Sequence, residues 1–234
     1  MQKNLKFETY LFVSPKKLII SVRNSLSFEK IYEENRIITN NTGEINLSLL
    51  DDFLNQHIFK IEKLLNNFVE NVVLIIDFEH FFPLQISIKK NNYGNFIDKK
   101  NIINMLYDAK NQSFEILKEK KIIHILIDNY QIDKKDYLNL PNNIECDYIS
   151  IDISFICIDV SFMKSLENVI IKYQVSPNKI ISAKYIKSLF SEQNLDLFKN
   201  AKSIIDGYNQ NEVELKIKSS KNKGFFVKFF NFFN

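Results

Sequence analysis

Three short β-prone runs open the chain, Phe7 to Val13, Leu18 to Arg23 and Ser27 to Glu33. Tight turns part them, the first marked by Ser14-Pro15, so they predict an antiparallel meander. From Leu47 to Val69 the apolar period becomes helical, with Leu50, Phe53, Leu54, Ile61, Leu64, Leu65 and Phe68 on one face. His57 lies in that stripe and reads as a core histidine. Val72 to Ile76 is continuously apolar, as a strand buried on both faces would be. Leu84 to Lys89 predicts a short strand, Asp98 an N-cap, and Lys99 to Glu119 a helix burying Ile102, Ile103, Leu106, Ala109 and Leu117. Strands follow at Ile122 to Ile132 and Ile144 to Ile158. Ser161 caps a helix whose inner face is Phe162, Met163, Leu166, Val169, Ile170 and Tyr173. Pro177 to Ser182 gives another strand, expected to return to the leading sheet, and Ala183 to Phe190 a helix. The segment Asp196 to Ile205 is acidic and apolar, and Val213 to Ile217 reads as a strand.

The last eleven residues, Gly224 to Asn234, carry a different pattern. At about 100° per residue, Phe225, Phe226, Phe229, Phe230, Phe232 and Phe233 share an arc of roughly 160°. Lys221, Lys223 and Lys228 accompany them, and Ser219 to Gly224 reads as a tether. This is the pattern of an amphipathic helix lying in a membrane interface, too short to span a bilayer. Full burial of six Phe would contribute roughly 9 to 18 kcal/mol, whereas ordering the segment costs roughly 11 to 22 kcal/mol. A single tail is therefore expected to bind weakly and reversibly, with basic residues adding attraction to an anionic surface. Firm attachment would need several tails held together.

Composition narrows the function classes. A hydrophobic content of 45% describes a folded chain rather than a disordered one. The net charge of +3 is mild, much of it sits in the tail, and no nucleic-acid partner is expected. Cys146 and Cys157 are too few for a disulfide framework, which points to a reducing cytosol, and no signal peptide opens the chain. Asp77, Glu79 and His80 follow the strand ending at Ile76, where α/β sheets bind ligands. With no second cluster to complete a coordination shell they read as a polar strand exit, and no metal is expected. His124 starts a strand with no nucleophile placeable beside it, so an enzyme built on these groups is the least favoured reading.

Several runs resemble the bacterial cell-division protein family FtsA, actin-like membrane tethers of the division ring. His124-Ile125-Leu126-Ile127-Asp128-Asn129-Tyr130-Gln131-Ile132-Asp133 is similar to the family's H-V-I-P-Q-E-Y-x-V-D. Ile97-Asp98-Lys99-Lys100-Asn101-Ile102 resembles its V-T-x-E-D-I helix start, and Ala109-Lys110 its A-K/A-x. The Ile149 to Cys157 strand, the Ser161 to Tyr173 helix and Val175 to Ile180 keep its order and spacing. The resemblance implies an α/β (α+β) chain with an actin-like, RNase H-like subdomain (1A) at 1–90 and 177–190. It implies an inserted SHS2 (1C) module at 91–176, an extension at 191–218, and a linker with a membrane-targeting helix at 219–234.

The departures shape the functional expectation. The family's first hairpin reads D-I-G-T-S-K and handles nucleotide phosphate and metal; here it is Phe12-Val13-Ser14-Pro15-Lys16-Lys17. Phe12 replaces the acid and Ser14 the glycine, and Pro15 removes an N–H. None of the four glycines forms a phosphate loop, so no cofactor is expected. After about Phe190 the family would continue into a second actin-like half, which this sequence replaces with its extension and tail. The expectation is a non-catalytic peripheral membrane protein at the cytoplasmic face of the inner membrane, at the division site. It would bind an anionic membrane surface, contact other division proteins through the SHS2-like module, and strengthen attachment by self-association. The alternative is a pilus-assembly-type actin-like scaffold that docks the cytoplasmic peptide of a membrane protein.

Overall fold

A computed structural model describes residues 6–39, 43–141, 143–190 and 196–213, which form a mixed α/β chain with two sheets. The described residues divide into two compact units, 6–82 with 158–209, and 83–157 with 210–213.

The first unit begins with the expected meander, β1 (Phe7–Val13), β2 (Lys17–Asn24) and β3 (Lys30–Ile37). β3 starts three residues later than the sequence pattern predicts. Asn24 Oδ1 accepts from the N–H groups of Leu26 and Ser27, and Phe28 takes a left-handed φ of 60°, so Ser27 belongs to the turn. Helix α1 (Leu47–Leu65) is capped by Asn46, whose side chain accepts from the Leu49 N–H, and stops at Asn66 in the left-handed region. It buries Leu50, Phe53, Leu54, Ile58 and Ile61, whereas Leu64 and Phe68 are exposed. Leu64 shares the phase of the buried arc but stands in the helix's last turn, and Phe68 lies beyond the helix end, so the stripe holds only as far as Ile61.

β4 (Asn71–Ile76) pairs parallel to β1, and β9 (Ser176–Ser182) pairs parallel to β4 with Ile180 opposite Leu74 and Ile181 opposite Ile75. The expected return to the leading sheet is therefore present, in the order β3-β2-β1-β4-β9. Helix α4 (Val160–Ile171) takes Asp159, not Ser161, as its N-cap, because β8 (Glu145–Asp159) runs directly into it. Met163, Leu166, Val169 and Ile170 are buried as expected, while Phe162 is only half-buried. Tyr173 lies past the helix and donates its hydroxyl to Asp51 at 2.8 Å. Helix α5 (Ala183–Leu189) follows β9, and the segment after Asp196 forms a further helix, α6 (Leu197–Ile205).

The second unit holds β5 (Phe82–Phe96), α2 (Lys99–Gln112), α3 (Phe114–Leu117), β6 (Lys120–Ile132), β7 (Lys135–Tyr137) and most of β8, in the sheet order β5-β8-β6-β7. β5 runs well past Lys89, through Asn92, whose amide donates to the Asn95 carbonyl while Asn95 returns the bond to Asn92. Asp98 caps α2 as expected, its carboxylate accepting from the Asn101 N–H at 2.7 Å. The long helix is interrupted at Ser113, and its inner face is Ile102, Met105 and Ala109. Ile103 is 50% exposed and Leu106 half-buried, since neither shares the arc of those three. Asn211, Glu212 and Val213 lie along β6, with the Val213 N–H donating to the Ile125 carbonyl at 2.8 Å. The remainder of the strand expected at Val213 to Ile217 lies outside the described residues. Cys146 and Cys157 are both buried free thiols on β8, and burial pushes Cys157 up to about 12.

Candidate functional site: the closed first hairpin

The C-terminal ends of the parallel strands β1, β4 and β9 are where an open α/β sheet offers a ligand site. At the end of β1, Phe12 is buried and Ser14 is 5% exposed. Ser14 Oγ accepts from the Lys17 N–H at 2.8 Å and the Lys16 N–H at 3.3 Å, and donates to the Lys17 carbonyl at 2.9 Å. The Ser14 N–H is itself spent on that carbonyl at 3.0 Å. Pro15 has no N–H. Every backbone donor from Ser14 to Lys17 is thus absent or satisfied within the turn, and none remains to bind a phosphate. Lys16 extends into solvent from this turn.

Neighbouring groups are engaged in the same way. The Asp77 N–H donates to the Val13 carbonyl at 2.9 Å, and its carboxylate pairs with Lys187 Nζ at 2.9 Å. His80 approaches Glu44 at 3.5 Å with both side chains more than 60% exposed, and Glu79 is exposed. Phe78 stacks on Phe162 at 4.9 Å and contacts the His80 ring at 4.9 Å. The structure therefore places Asp77, Glu79 and His80 near one strand exit without bringing them together: Asp77 turns to Lys187, His80 to Glu44, and Glu79 is exposed. Among the described residues no three His, Cys, Asp or Glu side chains converge on a metal position.

The other two histidines are packed into their units. His57 Nδ1 shares a 2.6 Å hydrogen bond with the Tyr32 hydroxyl and its ring lies 4.6 Å from that of Phe53, while burial and then Lys60 hold its pKa below the ordinary value. His124, 3% exposed on β6, shares a 2.7 Å contact with Glu212, fastening the segment that leads toward the tail.

Sequence reading missed the group that docks α6. Arg23 is 9% exposed and pairs with Glu33 at 3.0 Å and Asp196 at 3.5 Å, with its guanidinium over the rings of Phe28 and Phe198. Lys202 pairs with Glu8 at 2.8 Å, and Tyr10 donates to the same carboxylate. The signal available was weak: an arginine near the end of a mixed strand, with one acidic partner, Glu33, on the next strand and the other, Asp196, far along the chain. At the opposite, N-terminal end of the same sheet lies a cavity of about 450 Å³, lined by Thr9, Asn67, Phe68, Glu70, Asn178 and Lys202 among others.

The membrane-binding set named from the sequence, Phe225, Phe226, Phe229, Phe230, Phe232, Phe233, Lys221, Lys223 and Lys228, lies outside the described residues. Among the described residues no helix is long and apolar enough to cross a membrane.

No family model matches the chain, and no curated protein matches it in sequence. Solved structures give partial likenesses. A PilM–PilN type IV pilus biogenesis complex matches at 9% identity and a TM-score of 0.44, over 78% of this chain and 49% of that one. The cytoplasmic domain of EpsL, an inner-membrane component of the type II secretion system of Vibrio cholerae, matches at 8% and 0.39, over 77% and 57%. A Bacteroides thetaiotaomicron protein described as having an actin-like ATPase fold and unknown function matches at 12% and 0.36, over 80% and 56%. This chain spans about half the length of the solved chains it resembles, and likenesses of this size assign it neither a family nor an activity.

Proposed function

We propose that this protein is a non-catalytic, actin-like scaffold that works peripherally at the cytoplasmic face of a bacterial inner membrane. The observation that carries the reading is Ser14: its hydroxyl occupies the turn where nucleotide phosphate would sit, and satisfies the donors that would hold it. The sheet order supports the actin-like part, since β2 alone runs against the other four strands and the chain leaves and re-enters the sheet around an inserted α+β unit. The six phenylalanines and their lysines supply the attachment, and the inserted unit the contacts to partner proteins and to further copies.

The resemblance to FtsA makes the division apparatus the first system to test. A scaffold that docks a membrane protein's cytoplasmic peptide, in the kind of system the names of the PilM–PilN complex and EpsL describe, is the second reading, and it differs in cellular location. An amino-terminal fluorescent fusion separates them. A midcell band that becomes diffuse when the chain ends at Lys223 is the expected result. Envelope foci away from midcell transfer the protein to the second reading, and diffuse signal from both chains overturns membrane attachment altogether.

A further inference from the structure

Helix α2 carries a second stripe besides the one it buries, exposed at its start and half-buried further along. At about 100° per residue, Lys99, Lys100, Ile103, Tyr107 and Lys110 share an arc of about 100° on the side away from Ile102, Met105 and Ala109. Lys99, Lys100 and Ile103 are exposed, and Tyr107 and Lys110 are half-buried. The acid on this helix, Asp108, falls outside the arc and is committed to Lys90 of β5.

The first turn of α2 contains no acidic residue, and Lys99 and Lys100 occupy its first two positions. Cations there oppose the helix macrodipole, which favours Asp and Glu at that end. The Asp98 cap carboxylate supplies the negative charge that this helix end favours, so the fold does not call for Lys99 and Lys100, which stand exposed beyond it. Lysines flanking an exposed isoleucine and a tyrosine, an amphipathic ring suited to the water–lipid boundary, have the chemistry of a surface that rests on anionic lipid.

We infer that this face of α2 is a second membrane contact, resting on an anionic bilayer beside the tail. This deepens the peripheral-membrane reading and rests on it. The 21 residues from 214 to 234 hold five Lys against one Glu together with the six phenylalanines. They continue from Val213, which is hydrogen-bonded to β6 in the same unit as α2. Two weak contacts on one chain make stable attachment where one does not, because the second engages at high effective concentration.

The test is flotation of the full chain with phosphatidylglycerol-containing vesicles and with pure phosphatidylcholine vesicles. K99E/K100E/I103E is expected to lower partition to anionic vesicles by at least tenfold, since each lysine near such a surface contributes about fivefold. Its fold is safe, because glutamates suit the start of a helix and Ile103 is outside the core. K60E/K63E/F59E, an equal charge change on the exposed side of α1, should stay within about twofold. If the triple variant floats like the natural chain, the α2 contact is wrong and the tail alone attaches the protein. Retained flotation with loss of envelope localisation would assign the stripe to an acidic protein partner instead. If the natural chain fails to float on either vesicle, the peripheral-membrane reading falls and this inference with it.

Discussion

Ser14 shows how one side chain can close a site. Its hydroxyl takes the part that a bound anion's oxygen would take, accepting from two consecutive backbone N–H groups while returning its own proton to Lys17. Ser14→Ala would leave those part-buried donors without their acceptor, at a cost of about 1 kcal/mol, read as a lower denaturant midpoint. A second residue-scale feature lies between β6 and β7, where Asp133 and Lys134 both take positive φ, 44° and 71°. Asp133 justifies its conformation, since its carboxylate accepts from the N–H groups of Asp147 and Tyr148. Lys134 has no such return. Lys134→Gly removes the left-handed penalty and should stabilise the second unit by about 0.5–1 kcal/mol, seen as a raised unfolding midpoint; a fall would mean that the lysine side chain holds the turn.

Among the elements, α6 is docked by charge as well as by Phe198, Ala201 and Ile204, through Arg23 with Asp196 and Lys202 with Glu8. Burial alone would raise the Glu33 carboxyl, but hydrogen bonds from Lys30 and Ser21 and the charge of Arg23 hold it below the ordinary value of 4.5. A depressed carboxyl stabilises the fold above its unfolded pKa, and that contribution is lost as pH falls through the folded value. Lys202 is raised, chiefly by its bond to Glu8, so its contribution is present at neutral pH and lost only in strong alkali. Acidification below about pH 4.5 should therefore loosen α6 before the parallel strands, detectable as faster amide exchange over 197–205 than over β4. Arg23→Met should cost roughly 2–3 kcal/mol, less than a fully buried pair because Asp196 is 42% exposed, while Asp196→Asn keeps the helix cap and should cost under about 1 kcal/mol. Elements with strong periodicity were legible in sequence: α1, β4 and the β9 return all follow from apolar patterning. What escaped was non-local. The phase of α2 depended on Met105 rather than Ile103, the extension of β5 on paired asparagine amides, and the docking of α6 on one arginine finding Asp196 from 173 positions away. That Phe12, Ser14 and Pro15 suit a phosphate-binding turn poorly was visible residue by residue, but the internal satisfaction of every donor from Ser14 to Lys17 needed the geometry.

At the scale of the whole molecule the closed hairpin has a thermodynamic signature that separates a scaffold from a weak ATPase. A ligand that binds only the folded chain stabilises it by RT ln(1 + [L]/Kd), about 2.7 kcal/mol at one hundred times Kd. For a chain of this size that is a rise of roughly 5–10 °C in the unfolding midpoint. A phosphate cradle of even modest affinity would therefore announce itself at millimolar ATP and Mg²⁺. Here a nucleotide would have to displace the Ser14 hydroxyl from two N–H groups and still find no donor at Pro15 and no acid at Phe12, while Asp77 stays paired with Lys187. The midpoint is expected to move by less than about 1 °C with ATP, ADP or inorganic phosphate, on the full chain with its tail and in the presence of Mg²⁺. Ser14→Gly should not restore a response either, since it frees the Lys16 and Lys17 donors but leaves Pro15 and Phe12 in place. A shift of several degrees in the natural chain, abolished by Lys16→Ala, would mean that the turn opens to admit phosphate, and the non-catalytic reading would give way to a nucleotide-dependent one.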